Sequence, residues 1–303
     1  MKVGFVQTNP VLAQPERNIA HIEELIRQAT GAELLVLPEL CHTGYRFESR
    51  RQAWALSETV EDSIYLQRLK KVCLERCLHV VTGFNERNGE KLYNTAVLIG
   101  PSGVVGKYRK MHLFLEEKDI FEPGDLGLPV FDIGTCRIGL LICFDWMFPE
   151  VWRILALKGA DIICHPSNLV IPGLCQKALP VHAVCNRVFV ITANRTGTER
   201  DLTFTGLSTI ADPKSNVLLM ASPDKEEVGL VDIDISLARN KQATPRNHVL
   251  DDRRPGEYGA LVEQSDGWNS RRLPRIAYEI SPCYKRRAQT AWLGKARCHP
   301  RDG

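Results

Sequence analysis

Long apolar runs are missing from this sequence. No stretch of the 303 residues approaches the roughly 20 consecutive apolar residues of a membrane-spanning helix, so a membrane role is not expected. The opening MKVGFVQTNP has neither the apolar h-region nor the small-residue cleavage site of a secretory signal. A reducing, cytoplasmic setting is therefore the expectation. CxxC pairs, internal repeats and Gly/Ser-rich linkers before residue 260 are absent as well. Ten cysteines are present, scattered from Cys41 to Cys298 rather than framed. In a reducing compartment they are expected as thiols, mostly acting as small buried hydrophobes. Cys73, Cys77 and His79 lie close together, but a zinc site needs a matching second half and none follows. No metal site is expected.

A strong charge of one sign is also lacking. Lys and Arg number 39 against 36 Asp and Glu, a net charge of +3. The balance is uneven, with nine Lys/Arg against three acids in residues 264–303. That segment carries +6 and the preceding body −3, so the body has no bias toward nucleic acid. The tail interleaves Trp268, Tyr278, Tyr284 and Trp292 with arginines, as a stacking surface would. It has no motif and no regular spacing, so a solvated extension is the expectation and a nucleic-acid role is not. At 44% hydrophobic and 25% charged residues, the composition is that of an ordinary globular protein with a sizeable core.

The first 260 residues alternate between apolar runs and helical spacing. KVGFVQT reads as a strand, and from Pro15 to Gly31 the residues Ile19, Ile22, Leu25 and Ile26 fall on one helical face. LLVLPEL (34–40) reads as a strand buried on both faces. Residues 62–78 read as a helix, HVVTGF as a strand, and NERNGEKLYNTAVLIGPSGVVGKYRK as strands joined at Asn88-Gly89 and Pro101-Ser102-Gly103. A polar loop is expected from His112 to Gly127. Beyond it come strands at PVFDIG and RIGLLICF (137–144), a helix opening at Pro149, a strand at DIICHPS, a helix over 175–187 and a strand at VFVITAN. Shorter strands continue through VGLVDIDI. This alternation implies a layered α/β fold, with one domain over residues 1–260 and a basic extension over 261–303.

Four residues stand out as candidates for chemistry. Cys143 is expected at the end of a buried strand, where α/β folds place reactive groups, although a packed core thiol is the plainer reading of position alone. Glu39 ends an apolar strand, where an acid is costly unless paired or used. Lys110 ends KYRK before an aromatic and aliphatic loop, and Glu117 lies within that loop. Each has an ordinary alternative as a strand-end carboxylate, a surface lysine or a solvated acid.

Together these segments resemble the nitrilase superfamily of carbon–nitrogen hydrolases, closest to its short prokaryotic nitrilase and amidase branch. The matching pieces are LVLPEL around Glu39, GKYRKMHLF around Lys110, EEKDIFEPGD around Glu117 and RIGLLICFDWMFPE around Cys143, joined by RILALKGADIICHPSN and CNRVFVITANR. They stand in the family's order over about residues 2–258. The resemblance implies a four-layer α-β-β-α sandwich that pairs into dimers or higher homo-oligomers. It implies that Cys143 is the nucleophile, Glu39 the general base, Lys110 the stabiliser of negative charge and Glu117 a second carboxylate that orients the substrate or assists Lys110. The backbone N–H of Phe144 would add a second oxyanion donor. No cofactor is needed for such chemistry.

The residues just after Cys143 bear on the substrate. Many nitrilases carry Trp-Glu there, whereas this chain has Phe144-Asp145. Hydrolases of carbamoyl-D-amino acids carry paired arginines where Trp146 and Met147 stand, which counts against that substrate. Asn168 matches a substrate-contacting asparagine of those relatives, and Phe114, Phe144 and Trp146 suggest a narrow, partly apolar pocket. A small-molecule amide or carbamoyl compound is the expected substrate, with small nitriles next. Two rivals stand beside this reading: a Cys–His peptidase using His165 or His182, and a binding protein that kept the fold without catalysis.

Overall fold

The structure, a computed structural model, describes residues 1–263. The chain forms β1 (Lys2–Gln7), α1 (Pro15–Gln28), β2 (Leu34–Val36), α2 (Arg50–Ala55), α3 (Ile64–Arg76), β3 (His79–Asn88), β4 (Lys91–Gly100) and β5 (Gly103–Arg109). A helical turn, α4 (Glu117–Ile120), leads to β6 (Val130–Asp132), β7 (Arg137–Leu140), α5 (Pro149–Leu157), β8 (Ile162–Pro166), α6 (Leu174–Asn186) and β9 (Phe189–Ala193). Then come β10 (Thr198–Glu199), β11 (Leu202–Thr203), β12 (Thr209–Ala211), β13 (Val217–Met220), β14 (Glu227–Asp232), α7 (Ser236–Arg239), β15 (Gln242–Thr244) and β16 (Asn247–His248).

The layers follow from how β2 is buried. Successive strand side chains face opposite sides. Leu34 and Val36 enter one apolar cluster, Leu35 and Leu37 another. The second cluster is closed by Ile19, Ile22, Leu25 and Ile26 of α1 and by Leu66, Leu69 and Val72 of α3. The first joins Phe5, Val81 and Leu98 to Ile138, Ile162 and Val190 of a second sheet, and continues to Trp152 and Leu155 of α5 and Leu179 of α6. Helices, sheet, sheet and helices thus stack as the α-β-β-α sandwich expected from the sequence.

The first sheet has the order β14-β1-β2-β3-β4-β5 and the second β13-β12-β9-β8-β7-β6. Each has a parallel centre, β1-β2-β3 in one and β7-β8-β9 in the other, with antiparallel flanks. Parallel centres send their C-terminal ends to one side of a sheet, and that is where ligands of α/β folds gather. Glu39, Cys143 and Asn168 come after the C-terminal ends of β2, β7 and β8.

Two expectations need correction, and one element was not expected. RIGLLICF is strand only to Leu140, and Cys143 opens a 3₁₀ turn instead (Cys143–Met147). The loop after His112 contains α4, so Glu117 begins a helical turn. The helix α2, which the spacing does not predict, is capped by Ser49, whose side chain accepts from the Gln52 N–H (3.3 Å).

Residues 1–250 form one unit. Residues 251–263 hold two further 3₁₀ turns, Pro255–Glu257 and Gly259–Leu261. The expected extension lies outside the described residues from residue 264 onward. The eight described cysteines are free. Among the described residues no helix is long and apolar enough to cross a membrane, and no cluster of three or more His, Cys, Asp or Glu could hold a metal ion.

Candidate active site

Lys110 is placed by the alternation of β5. Lys107 and Arg109 point to one face and reach Glu86 (both 2.6 Å). Tyr108 and Lys110 point to the other. There the Lys110 ammonium donates to Glu39 Oε1 (2.6 Å) and Glu117 Oε1 (2.7 Å), with all three groups buried. Asn94 Nδ2 also donates to Glu39 Oε1 (2.7 Å), while Glu39 Oε2 is buried with no partner. Tyr45 Oη donates to Glu117 Oε1 (2.6 Å). The Glu39 loop lies directly on β3. A Cβ at Gly83 would sit 2.4 Å from Glu39 Cα, so only glycine admits this approach.

Cys143 comes from the other sheet. Asp145 ends β7 early and turns the chain. Its Oδ2 accepts from the Ile142 N–H (2.9 Å) and Tyr108 Oη (2.8 Å), and its Oδ1 from the His112 N–H (3.2 Å) and Nδ1–H (2.8 Å). This one carboxylate ties the cysteine turn to the segment carrying Lys110. Cys143 itself adopts φ +41°, the left-handed region that side-chain-bearing residues rarely enter. His165 Nε2 donates to the Cys143 carbonyl (2.9 Å), and the Asn168 N–H lies against the sulfur. Asn168 Nδ2 donates to the Glu39 carbonyl (3.0 Å), and its Oδ1 is buried without a partner.

The electrostatics follow from this packing. Burial pushes Glu39 up to about 7, against the pull of Lys110. Burial alone would push Lys110 down, but the carboxylates of Glu117 and Glu39 outweigh it and hold the lysine above its ordinary value. Burial and the Glu39 charge push the Cys143 thiol well up, with Lys110 opposing. Both effects favour the neutral thiol, whose activation would need a base. His165 is not that base, because burial pushes it down to about 4 and its Nε2–H points at a carbonyl. His182 is stacked on Trp152, ring centroids 4.5 Å apart. Neither His165 nor His182 is therefore placed to serve the Cys–His reading.

A cavity of about 30 Å³, room for roughly one water, adjoins Cys143. Phe114, Phe144, Trp146 and Asn168 all line it, as do Leu169, Val170 and Ile171. Apart from Asn168 the walls are apolar, and no charged side chain is among them.

The family model for carbon–nitrogen hydrolases matches residues 2–242. The chain belongs to that family. This carbon–nitrogen hydrolase is 48% identical over 260 residues to a nitrilase of Pyrococcus abyssi, covering 85% of this chain and 99% of the relative. It resembles the crystal structure of a carbon–nitrogen hydrolase from Helicobacter pylori G27 at a TM-score of 0.78 and 26% identity, covering 87% of this chain and 98% of that one. It also resembles an amidase of Nesterenkonia sp. AN1 at a TM-score of 0.70 and 27% identity, covering 85% and 95%. That structure is of a mutant with glutamine in place of a glutamate, and it shows covalent addition of the acetamide moiety of fluoroacetamide at the active-site cysteine.

In this hydrolase the structure brings together all eight residues singled out from the sequence. Three more join them without having been singled out. Asn94 sits mid-strand on β4 with nothing local to mark it. Tyr45 lies in an irregular loop held by Glu199, whose carboxylate accepts from the N–H groups of Tyr45 (2.8 Å) and Arg46 (2.7 Å). Asp145 lies in the 3₁₀ turn two residues after Cys143, and a polar residue just beyond a long apolar run is the signal that could have found it.

Proposed function

We propose that this hydrolase cleaves the carbon–nitrogen bond of a small amide or carbamoyl compound through a thioester on Cys143. The observation that carries the reading is a buried lysine held between two buried carboxylates beside a thiol, at the edge of an uncharged cavity. As Cys143 Sγ attacks the carbonyl carbon, its proton passes to Glu39 Oε2, the one oxygen of that carboxylate without a partner. The carbonyl electron pair moves to oxygen. Lys110 has two N–H groups on carboxylates, and its third is available to that oxyanion, together with the Phe144 N–H. Collapse of the intermediate breaks the carbon–nitrogen bond, and protonated Glu39 returns its proton to the leaving nitrogen, giving ammonia. Glu39 then takes a proton from water, the hydroxide attacks the thioester, and the acid leaves as the thiol is restored. Glu117 fixes Lys110, and Asn168 Oδ1 accepts from the substrate amide N–H.

The likeness to the Pyrococcus nitrilase favours a second reading, a small nitrile attacked by the same thiol to give a thioimidate. The apolar walls favour an uncharged substrate in either case. Two copies would pair through α5 and α6, whose outer faces expose Ile154, Leu157, Leu174 and Val181.

Ammonia release is measured from short aliphatic amides, ω-amides of dicarboxylic acids, N-carbamoyl amines and amino acids, and short nitriles, with Cys143→Ala as the blank. Release from the parent alone is the expected result, and the best substrate names the branch. Release from Cys143→Ala, or from no compound with folded parent, overturns the reading.

A further inference from the structure

A second cavity, of about 380 Å³, opens at the start of β7, the end opposite to Cys143. Its walls come from the β6–β7 hairpin, the Gly159–Asp161 turn before β8, and the arm between α7 and β15. Arg137, Arg239 and Lys241 face it against two acids, Asp132 and Asp161. Both acids already have partners. Asp132 Oδ1 accepts from the Gly134 N–H (2.7 Å), and Asp161 Oδ2 from the Arg137 N–H (3.0 Å), with Oδ1 3.6 Å from Arg239 Nε.

The cations are less well matched. The Arg137 guanidinium has no carbonyl or carboxylate acceptor among the described residues. It lies over Gly159, where any Cβ would come within 2.3 Å of Nη1. The glycine leaves room for the guanidinium to lie there. The Lys241 ammonium donates once, to the Arg187 carbonyl (2.8 Å), which leaves two of its three donors. Burial pushes Lys241 down to about 8, and the charges of Arg187 and Arg153 add to that while Asp161 opposes it. No aromatic side chain lines the space.

The geometry points to a second ligand site here, for a small multivalent oxyanion held by Arg137 and Lys241. Two donors that line one cavity from different elements match two or more negative oxygens, as on a phosphate group or paired carboxylates. A single-charge anion satisfies only one of them. The missing aromatic surface argues against recognition of a nucleobase or other flat ring. Asp132 and Asp161 share the wall with these cations, but their carboxylates are already engaged by the Gly134 and Arg137 N–H groups and by Arg239. The site uses no residue of the Cys143 cavity, so it stands whichever carbon–nitrogen bond is cleaved.

Calorimetric titration of the full chain with inorganic phosphate, pyrophosphate and citrate, at matched ionic strength, tests this. Saturable binding of one ligand per chain by at least one probe is expected. Preference for the phosphates or for citrate tells a phosphate-bearing ligand from a polycarboxylate. Arg137→Gln and Lys241→Gln should each weaken binding by roughly ten- to a hundredfold, the effect of one charge-assisted hydrogen bond. Both side chains reach solvent, and thermal melts of the variants confirm folding. Arg246→Gln, an exposed charge on the following turn, should leave the affinity unchanged. Absence of saturable binding by all three probes overturns the site. Equal weakening by Arg246→Gln does so too, since binding would then be diffuse attraction.

Discussion

At the scale of single residues, Lys110 is the group on which the site depends. Its charge lies between two buried carboxylates, and removing it leaves their negative charge uncompensated. Lys110→Ala is expected to abolish ammonia release and to cost about 3–5 kcal/mol in urea unfolding. An active Lys110→Ala enzyme would overturn its role. In the proposed mechanism Glu39 sets the pH dependence. A base must be ionised to take the thiol proton, and burial places Glu39 at about 7. Therefore kcat/KM should rise as pH increases through about 7, while Glu39→Gln should be near the blank at every pH. Asp145 acts through others. It holds the Ile142 N–H, Tyr108 and His112 at once, so Asp145→Asn loses an acceptor at the turn that aims the sulfur. A misaimed nucleophile costs on the order of a hundredfold in kcat. Because Glu39 is untouched, the rise near pH 7 should persist in Asp145→Asn. A shift of that limb would mean that Asp145 tunes the base rather than the geometry.

At the scale of elements, β5 shows what a pattern can and cannot tell. The strand is legible in GVVGKYR, and so are β3, β4 and the turns between them. What the pattern leaves open is which lysine or arginine meets a partner. Arg109 and Lys110 are adjacent and chemically alike, yet one is clamped in Glu86 and the other reaches the site, because their faces differ. Burial pushes Glu86 up, but hydrogen bonds from Arg109, Lys107 and Thr95 outweigh it and hold its pKa below the usual value. A carboxylate depressed in the folded state stabilises above its unfolded pKa, and that contribution is lost as pH falls through the folded one. Stability should therefore drop as pH falls below about 4.5, and Glu86→Gln should be less stable at pH 7 with a flatter acid limb, as denaturant melts across pH would show. The early end of β7 has a related cause. RIGLLICF is apolar throughout, and apolar continuity says nothing of where hydrogen bonds stop. Asp145, outside that run, closes the turn.

At the scale of the molecule, the site exists because two sheets meet. The first sheet supplies Glu39 and Lys110, the second Cys143 and Asn168, and the Asn168 to Glu39 hydrogen bond spans 129 residues of sequence. Such pairings leave no trace in local spacing. Cys143, Glu39, Lys110 and Glu117 are found through four ordered motifs, whereas Asn94 and Tyr45, each contributed by its own distant segment, have no motif to announce them. The outer helices bear on assembly. Ile154 and Leu157 lie one turn apart on α5, Leu174 and Val181 two turns apart on α6, and all four are exposed. A self-complementary apolar face of this kind suits a two-fold pair. Light scattering should give a dimer for the parent, and Leu157→Glu with Val181→Glu should shift it to a monomer, because each buried charge would face its own copy across the axis. The turn carrying Cys143 runs into α5 through Phe148 alone, so loosening that helix should also lower kcat. A parent that is monomeric at micromolar concentration would remove this interface, while a dimer that survives both charges would place it on another face.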